Sequence, residues 1–190
     1  WVKLYIERWL KAPVNVEGKA EERSKGTPQG GVISPLLANI YLHYAFDEWM
    51  EKDKNWSAWE RYADDIVVHC VSRSVAEKVM SEIGERLSKY GLQLNEVKTK
   101  IVYCKQQNRQ EDYEEVSFEF LGYQFKPKGS RNKLGALFTG YRAGISKKSQ
   151  HRINEALRDL QIDRRTGQTI EELAGLLNRK VRGWYNYYSR

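Results

Sequence analysis

The chain has 190 residues, 41% of them hydrophobic, with 32 Lys/Arg against 25 Asp/Glu for a net charge of +7. That is enough to bury a core in one domain or two small lobes, and no apolar run approaches the roughly 20 residues of a membrane span. Cys70 and Cys104 are too few for a disulfide framework and lack metal-ligand spacing, so a reducing, cytoplasmic setting is expected. The charge is uneven: residues 128–190 hold 14 Lys/Arg and 5 Asp/Glu, residues 1–127 hold 18 and 20. A basic final third on a near-neutral body suggests a polyanion clamp beside a packed catalytic body.

Residues 1 to about 12 predict an amphipathic helix with Val2, Ile6, Trp9 and Leu10 on one face, ended before Pro13, and not a signal peptide. Val14–Val16 and Glu22–Ser24, flanking residues 17–20, read as an exposed hairpin. Three glycines between Gly26 and Gly31 let backbone amides approach a ligand, and Gln29 adds a side-chain amide. Ser34 suits an N-cap and Pro35 the first helical position. From there a helix is expected to about Met50, with Leu36, Ile40 and Tyr44, beside Leu37, Tyr41 and Ala45, as its buried face. The glycine loop then lies at a helix N-terminus, where free amides favour an anion.

Trp59 to Val71 reads as strand, tight turn, strand, with Asp64 and Asp65 adjacent at the turn. Adjacent acids repel, and a hard divalent ion that takes carboxylate oxygens relieves them. The plain alternative is an acidic β-turn. Ser74–Glu77 has the pattern of a capping box, Val75, Val79, Ile83 and Leu87 form a core stripe, and Gly91 suits a helix stop. Lys98 is placed in a loop before a strand over Ile101–Tyr103, and residues 106–115 form a polar loop. Phe118–Phe120 and Tyr123–Phe125 flank Leu121-Gly122 as a hairpin with aromatics on alternating sides, and residues 126–142 read as a connector out of the sheet. Ile153, Ala156, Leu157 and Leu160 mark one late helix. Thr169–Glu172 caps another, striped by Leu173, Leu177, Val181, Trp184 and Tyr188, with Arg179, Lys180 and Arg182 among the aromatics.

Five segments in order carry a resemblance. Tyr62-Ala63-Asp64-Asp65 resembles the YADD box of reverse transcriptases. Gly26 to His43 resembles the block that precedes that box in group II intron reverse transcriptase/maturases. Gly91 to Thr99 and Phe118 to Tyr123 follow in that family's order, and Asn178 to Tyr188 resembles its maturase segment.

The resemblance implies an α+β fold: a partial polymerase palm over residues 1–127, an antiparallel sheet with helices on one face, then a connector and helical thumb over 128–190. It implies RNA-directed DNA synthesis by two-metal nucleotidyl transfer, with Asp64 and Asp65 as metal ligands for Mg²⁺, or Mn²⁺ in its place. It further implies Lys98 beside the leaving pyrophosphate, and Gln29 and Gly30 at the nucleotide and template. Leu121 and Gly122 become the primer grip. Arg179, Lys180, Arg182, Tyr185 and Tyr187 become RNA contacts, the rings stacking bases and the cations meeting phosphates. The implied partners are intron RNA, RNA template, DNA primer and dNTP. Nothing in residues 1–25 resembles the earlier strand that bears the family's third catalytic aspartate. The expectation is therefore a fragment inactive by itself, lacking the fingers and any recognisable nuclease segment. Its truncated sheet edge would favour a homodimer. The competing expectation is a non-catalytic RNA-binding maturase module that assists splicing.

Overall fold

The computed structural model describes residues 1–16, 19–21, 26–27, 30–52, 58–106 and 111–189. The fold is α+β, as expected, with antiparallel pairing throughout and two compact units, Trp1–Thr99 and Lys100–Arg190. The boundary expected at 127/128 falls inside a strand of the second unit.

The first unit opens with α1 (Val2–Lys11), which stops at Ala12 in extended conformation (ψ 128°) because Pro13 follows. Val2, Trp9 and Leu10 on its apolar face are exposed. Strands β1 (Val14–Val16) and β2 (Lys19–Glu21) pair as a hairpin with Val16 opposite Lys19, and the return segment expected at residues 22–24 lies outside the described residues. Helix α2 (Ser34–Leu42) has Ile33 at its N-cap, which puts Ser34 inside the first turn and Pro35 one position later than expected. It runs into a π-helical segment, His43–Asp47, and then α3 (Glu48–Lys52).

The expected buried face holds at Ala45 and not at most of its other positions, and the π segment sets the burial that follows it. Leu36, Ile40, Tyr41 and Tyr44 are exposed, while Ala45, Phe46 and Met50 are buried. A π turn inserts one residue into the helical phase, and the insertion turns Phe46 and Met50 inward in place of the continued four-residue stride. The carbonyls such a turn leaves over need donors. Arg86 supplies them, with Nε donating to the Ala45 carbonyl (2.9 Å) and Nη2 to that of Tyr44 (3.3 Å).

Strands β3 (Trp59–Tyr62) and β4 (Asp65–Val68) form the expected hairpin, and α4 (Arg73–Lys89) carries Val79, Ile83 and Leu87 into the core. These three with Phe46 and Met50 form the cluster on which Trp59, Ile66 and Val68 pack. The cap of α4 is Ser72, whose hydroxyl accepts from the Val75 amide, and not Ser74. Its end is a Schellman motif: Gly91 (φ 67°) donates to the Ser88 carbonyl and Leu92 to that of Leu87, both at 3.0 Å.

In the second unit Ile101–Tyr103 is not a strand. Strands β5 (Phe118–Phe120), β6 (Tyr123–Arg131) and β7 (Leu137–Ile145) form one sheet in that order. The expected connector is thus a ribbon of two nine-residue strands. Phe118 lies opposite Phe125 and Phe120 opposite Tyr123. Side chains two apart share a face, so all four rings are on the same side of the sheet, not on alternating sides. Helices α5 (Lys147–Arg158) and α6 (Ile170–Tyr188) follow. Thr169 and Glu172 make the reciprocal capping box that the sequence predicts. Along α6, Leu173, Leu177, Trp184 and Tyr188 are half-buried, but Val181 is exposed and leaves the stripe.

Candidate active site and nucleic-acid surface

Register places the acidic pair. Tyr62 lies opposite Asp65, so Ala63-Asp64 is a two-residue turn, and Ala63 sits at φ 53°. A residue with a Cβ in this left-handed region costs about 1–2 kcal/mol, so something must hold the turn. That residue is Arg61. Period two points Arg61 to the core face with Trp59, Ile66 and Val68, and Asp65 to the opposite face. Arg61 Nε donates to Asp47 Oδ1 (2.6 Å) and Nη2 to Asp47 Oδ2, while Nη1 donates to Asn39 Oδ1 and to the Ala63 carbonyl, both 2.9 Å. The guanidinium therefore ties α2, the π segment and the acidic turn together. Its hydrogen bonds to Asp47 hold the pKa above the usual arginine value against the opposing effect of burial.

Asp64 and Asp65 are exposed, and neither is in an ion pair with a described residue. Paired carboxylate oxygens suit a hard divalent ion. Among the described residues no third His, Cys, Asp or Glu gathers with them. Lys98 is exposed at the end of a turn organised by Asn95, whose side-chain oxygen accepts from the Val97 and Lys98 amides, both 3.1 Å. Gly30 is exposed at φ 83°, and Gln29 lies outside the described residues.

Leu121 (φ 49°) and Gly122 (φ 78°) form the β5–β6 turn, with the two positive φ values of a type I′ hairpin. A Cβ on Gly122 would lie 2.9 Å from Ser149 Oγ and 3.1 Å from the Tyr188 hydroxyl. Tyr187 donates its hydroxyl to the Leu121 carbonyl (2.7 Å), and the Tyr123 hydroxyl donates to the Tyr187 carbonyl. Ring centroids of Tyr123 and Tyr187 are 5.6 Å apart. Tyr187 thus anchors the turn, and Tyr185, 68% exposed, presents the more open ring. Arg179, Lys180 and Arg182 are exposed on α6 without an ion pair among the described residues. Sequence reasoning missed Arg61, Asp47 and Arg86. The one signal was Arg61 abutting the acidic box, since its side-chain partners Asp47 and Asn39 are 14 and 22 residues away.

The model of the reverse transcriptase (RNA-dependent DNA polymerase) family matches residues 1–125. The chain belongs to that family. The maturase-specific domain of group II introns matches residues 150–190. Among curated relatives, the chain is 53% identical over 38 residues to group II intron-encoded protein LtrA of Lactococcus lactis subsp. cremoris, covering 20% of this chain and 6% of LtrA. It is 44% identical over 50 residues to an uncharacterized 91 kDa protein in the cob intron of Schizosaccharomyces pombe, covering 26% and 6%. It is 32% identical over 140 residues to protein YkfC of Escherichia coli K12, covering 57% and 34%. The chain therefore spans about a third or less of these relatives. No solved structure matches. Reverse transcriptases depend on divalent metal, and both matched families imply nucleic-acid partners. Among the described residues no helix of this reverse transcriptase chain is long and apolar enough to cross a membrane.

Proposed function

We propose that this chain is the metal-binding end of the palm and the start of the thumb of an RNA-directed DNA polymerase that is also a group II intron maturase. The observation that carries the reading is the exposed Asp64-Asp65 turn held in a strained conformation by Arg61. A divalent ion bound there, Mg²⁺ or Mn²⁺, would activate a primer 3′-hydroxyl and neutralise the triphosphate. The chain's own part is to aim the two carboxylates and to keep them aimed. In this reading residues 1–127 work as palm and 128–190 as thumb. The β5–β6 turn serves the palm as primer grip through Leu121 and Gly122, although it is bonded to the thumb helices.

Gln29 and Gly30 contact nucleotide and template, and Lys98 meets the leaving pyrophosphate. Arg179, Lys180 and Arg182 meet RNA phosphates, with Tyr185 and the exposed part of Tyr187 stacking on bases. The partners are intron RNA, RNA template, DNA primer and dNTP, and the setting is the cytoplasm. The maturase-domain match also favours a second reading, RNA binding that assists splicing without catalysis. Isothermal titration of the chain with Mn²⁺ tests the site. Weak binding lost in Asp64→Asn is expected, because two carboxylates alone hold the ion. Tight binding unchanged by that substitution would overturn the assignment.

A further inference from the structure

The β6–β7 ribbon has two different faces. Phe125, Pro127 and Tyr141 share the side of Phe118, whose ring stacks on Phe125 with centroids 4.8 Å apart. The other side carries Gln124, Lys126, Lys128 and Ser130, opposite Gly144, Arg142, Gly140 and Phe138. Lys126 and Arg142 are therefore direct cross-strand partners. Like charges so placed destabilise a sheet, and the ribbon accepts that cost. Lys128 reaches along the same face, for a Cβ built on Gly144 would lie 2.6 Å from its Nζ. Arg142 leans the other way, its Nε 3.8 Å from such a Cβ on Gly140. Two cationic heads, of Lys128 and Arg142, thus lie over glycine positions on the face that also carries Lys126.

No compensating acid is near in sequence. Residues 120–154 contain eight Lys/Arg and no Asp or Glu, and among the described residues none of the eight is in an ion pair. Other cations in the chain are treated differently: Lys3, Lys52, Arg73, Lys78, Lys100 and Lys105 each sit on a carboxylate. Glu119, beside Gln124 at the turn end, is the carboxylate on this face. A strand face that keeps opposed cations, with Glu119 at the turn end as its one carboxylate among the described residues and no ion pair to it, is suited to an external anion. Nine residues make the ribbon about 30 Å long, so the anion is extended.

We propose that Lys126, Lys128 and Arg142, over Gly140 and Gly144, bind the sugar–phosphate backbone of RNA. The glycines let the Lys128 and Arg142 side chains lie along the strand face, and the contacts read charge and spacing, not bases. The proposal rests on the reading that the chain's partner is RNA, and it assigns a surface separate from the α6 cations.

The test titrates the 190-residue chain with a fluorescein-labelled RNA hairpin of arbitrary sequence over a range of salt. Lys126→Gln/Lys128→Gln/Arg142→Gln is compared with wild type and with Arg179→Gln/Lys180→Gln/Arg182→Gln, after circular dichroism shows wild-type folding of each. The ribbon variant is expected to lose affinity about tenfold or more and to flatten the slope of log affinity against log salt by about two to three units. Wild-type affinity and slope in the ribbon variant, with loss in the α6 variant, would overturn the ribbon and leave the proposed function standing. Loss in the ribbon variant alone supports the ribbon and overturns the α6 assignment. Binding of the wild-type chain to vesicles of phosphatidylserine and phosphatidylcholine, lost in the ribbon variant while RNA binding is kept, would also overturn the proposal. If the chain misfolds as the triple variant, each single Gln substitution is titrated, and a slope unchanged in all three counts against it.

Discussion

Arg61 is the side chain through which the acidic turn is fastened to its unit. Its side chain and that of Asp47 are 10% and 12% exposed, so removing one strands the other charge out of water. We predict that Arg61→Ala costs about 3 kcal/mol, measured by urea denaturation, and speeds amide exchange at Ala63 to Asp65 more than in α4. Uniform exchange across the unit would show that the pair is only a stability element. Tyr141 is a second informative residue. Burial first, then Cys104, raises its pKa above the usual 10.0. The unfolded chain therefore loses this proton before the native one does. The stability this group contributes is intact below about pH 10 and falls as pH rises beyond it. Alkaline unfolding followed by fluorescence should show that fall in wild type and a weaker one in Tyr141→Phe. Identical profiles would remove Tyr141 from the account.

The elements show which parts of the fold were legible. Helix α4 was readable because Val79, Ile83 and Leu87 keep their stride and Gly91 ends it, and both acidic box and hairpin were readable because strand residues flank a two-residue turn. The burial of Phe46 and Met50 was not, because the phase shift at His43–Asp47 is accompanied by Arg86, about 40 residues on, donating to the Tyr44 and Ala45 carbonyls. The ribbon was missed for a related reason: its glycines and lysines look like a connector until register pairs them. The candidate site divided the same way, with Asp64 and Asp65 visible as a motif and Arg61's partners visible only in three dimensions. Two glycines with positive φ give a test at this scale. Gly91 has nothing within 4 Å of a built Cβ, whereas Gly122 meets buried Ser149. Gly91→Ala should cost about 1 kcal/mol for backbone strain alone, and Gly122→Ala measurably more. Equal midpoint shifts in denaturation would contradict the close packing of the β5–β6 turn.

At the scale of the molecule, β3 and β4 form a sheet of two strands, so among the described residues both outer edges lack a partner strand. Open edges are templates for pairing, and we predict self-association detectable as a sedimentation coefficient that rises with protein concentration. A monomer at every concentration would count against the dimer. The central claim, that Asp64 and Asp65 are the metal ligands of a polymerase palm, is tested most directly by function in context. Residues 1–190 are exchanged for the corresponding segment of an active group II intron reverse transcriptase that retains its own upstream catalytic aspartate. RNA-templated primer extension by this chimera is then measured in Mg²⁺, with and without Asp64→Asn. The account predicts extension by the chimera and none by the Asp64→Asn form. Extension that survives Asp64→Asn would contradict it.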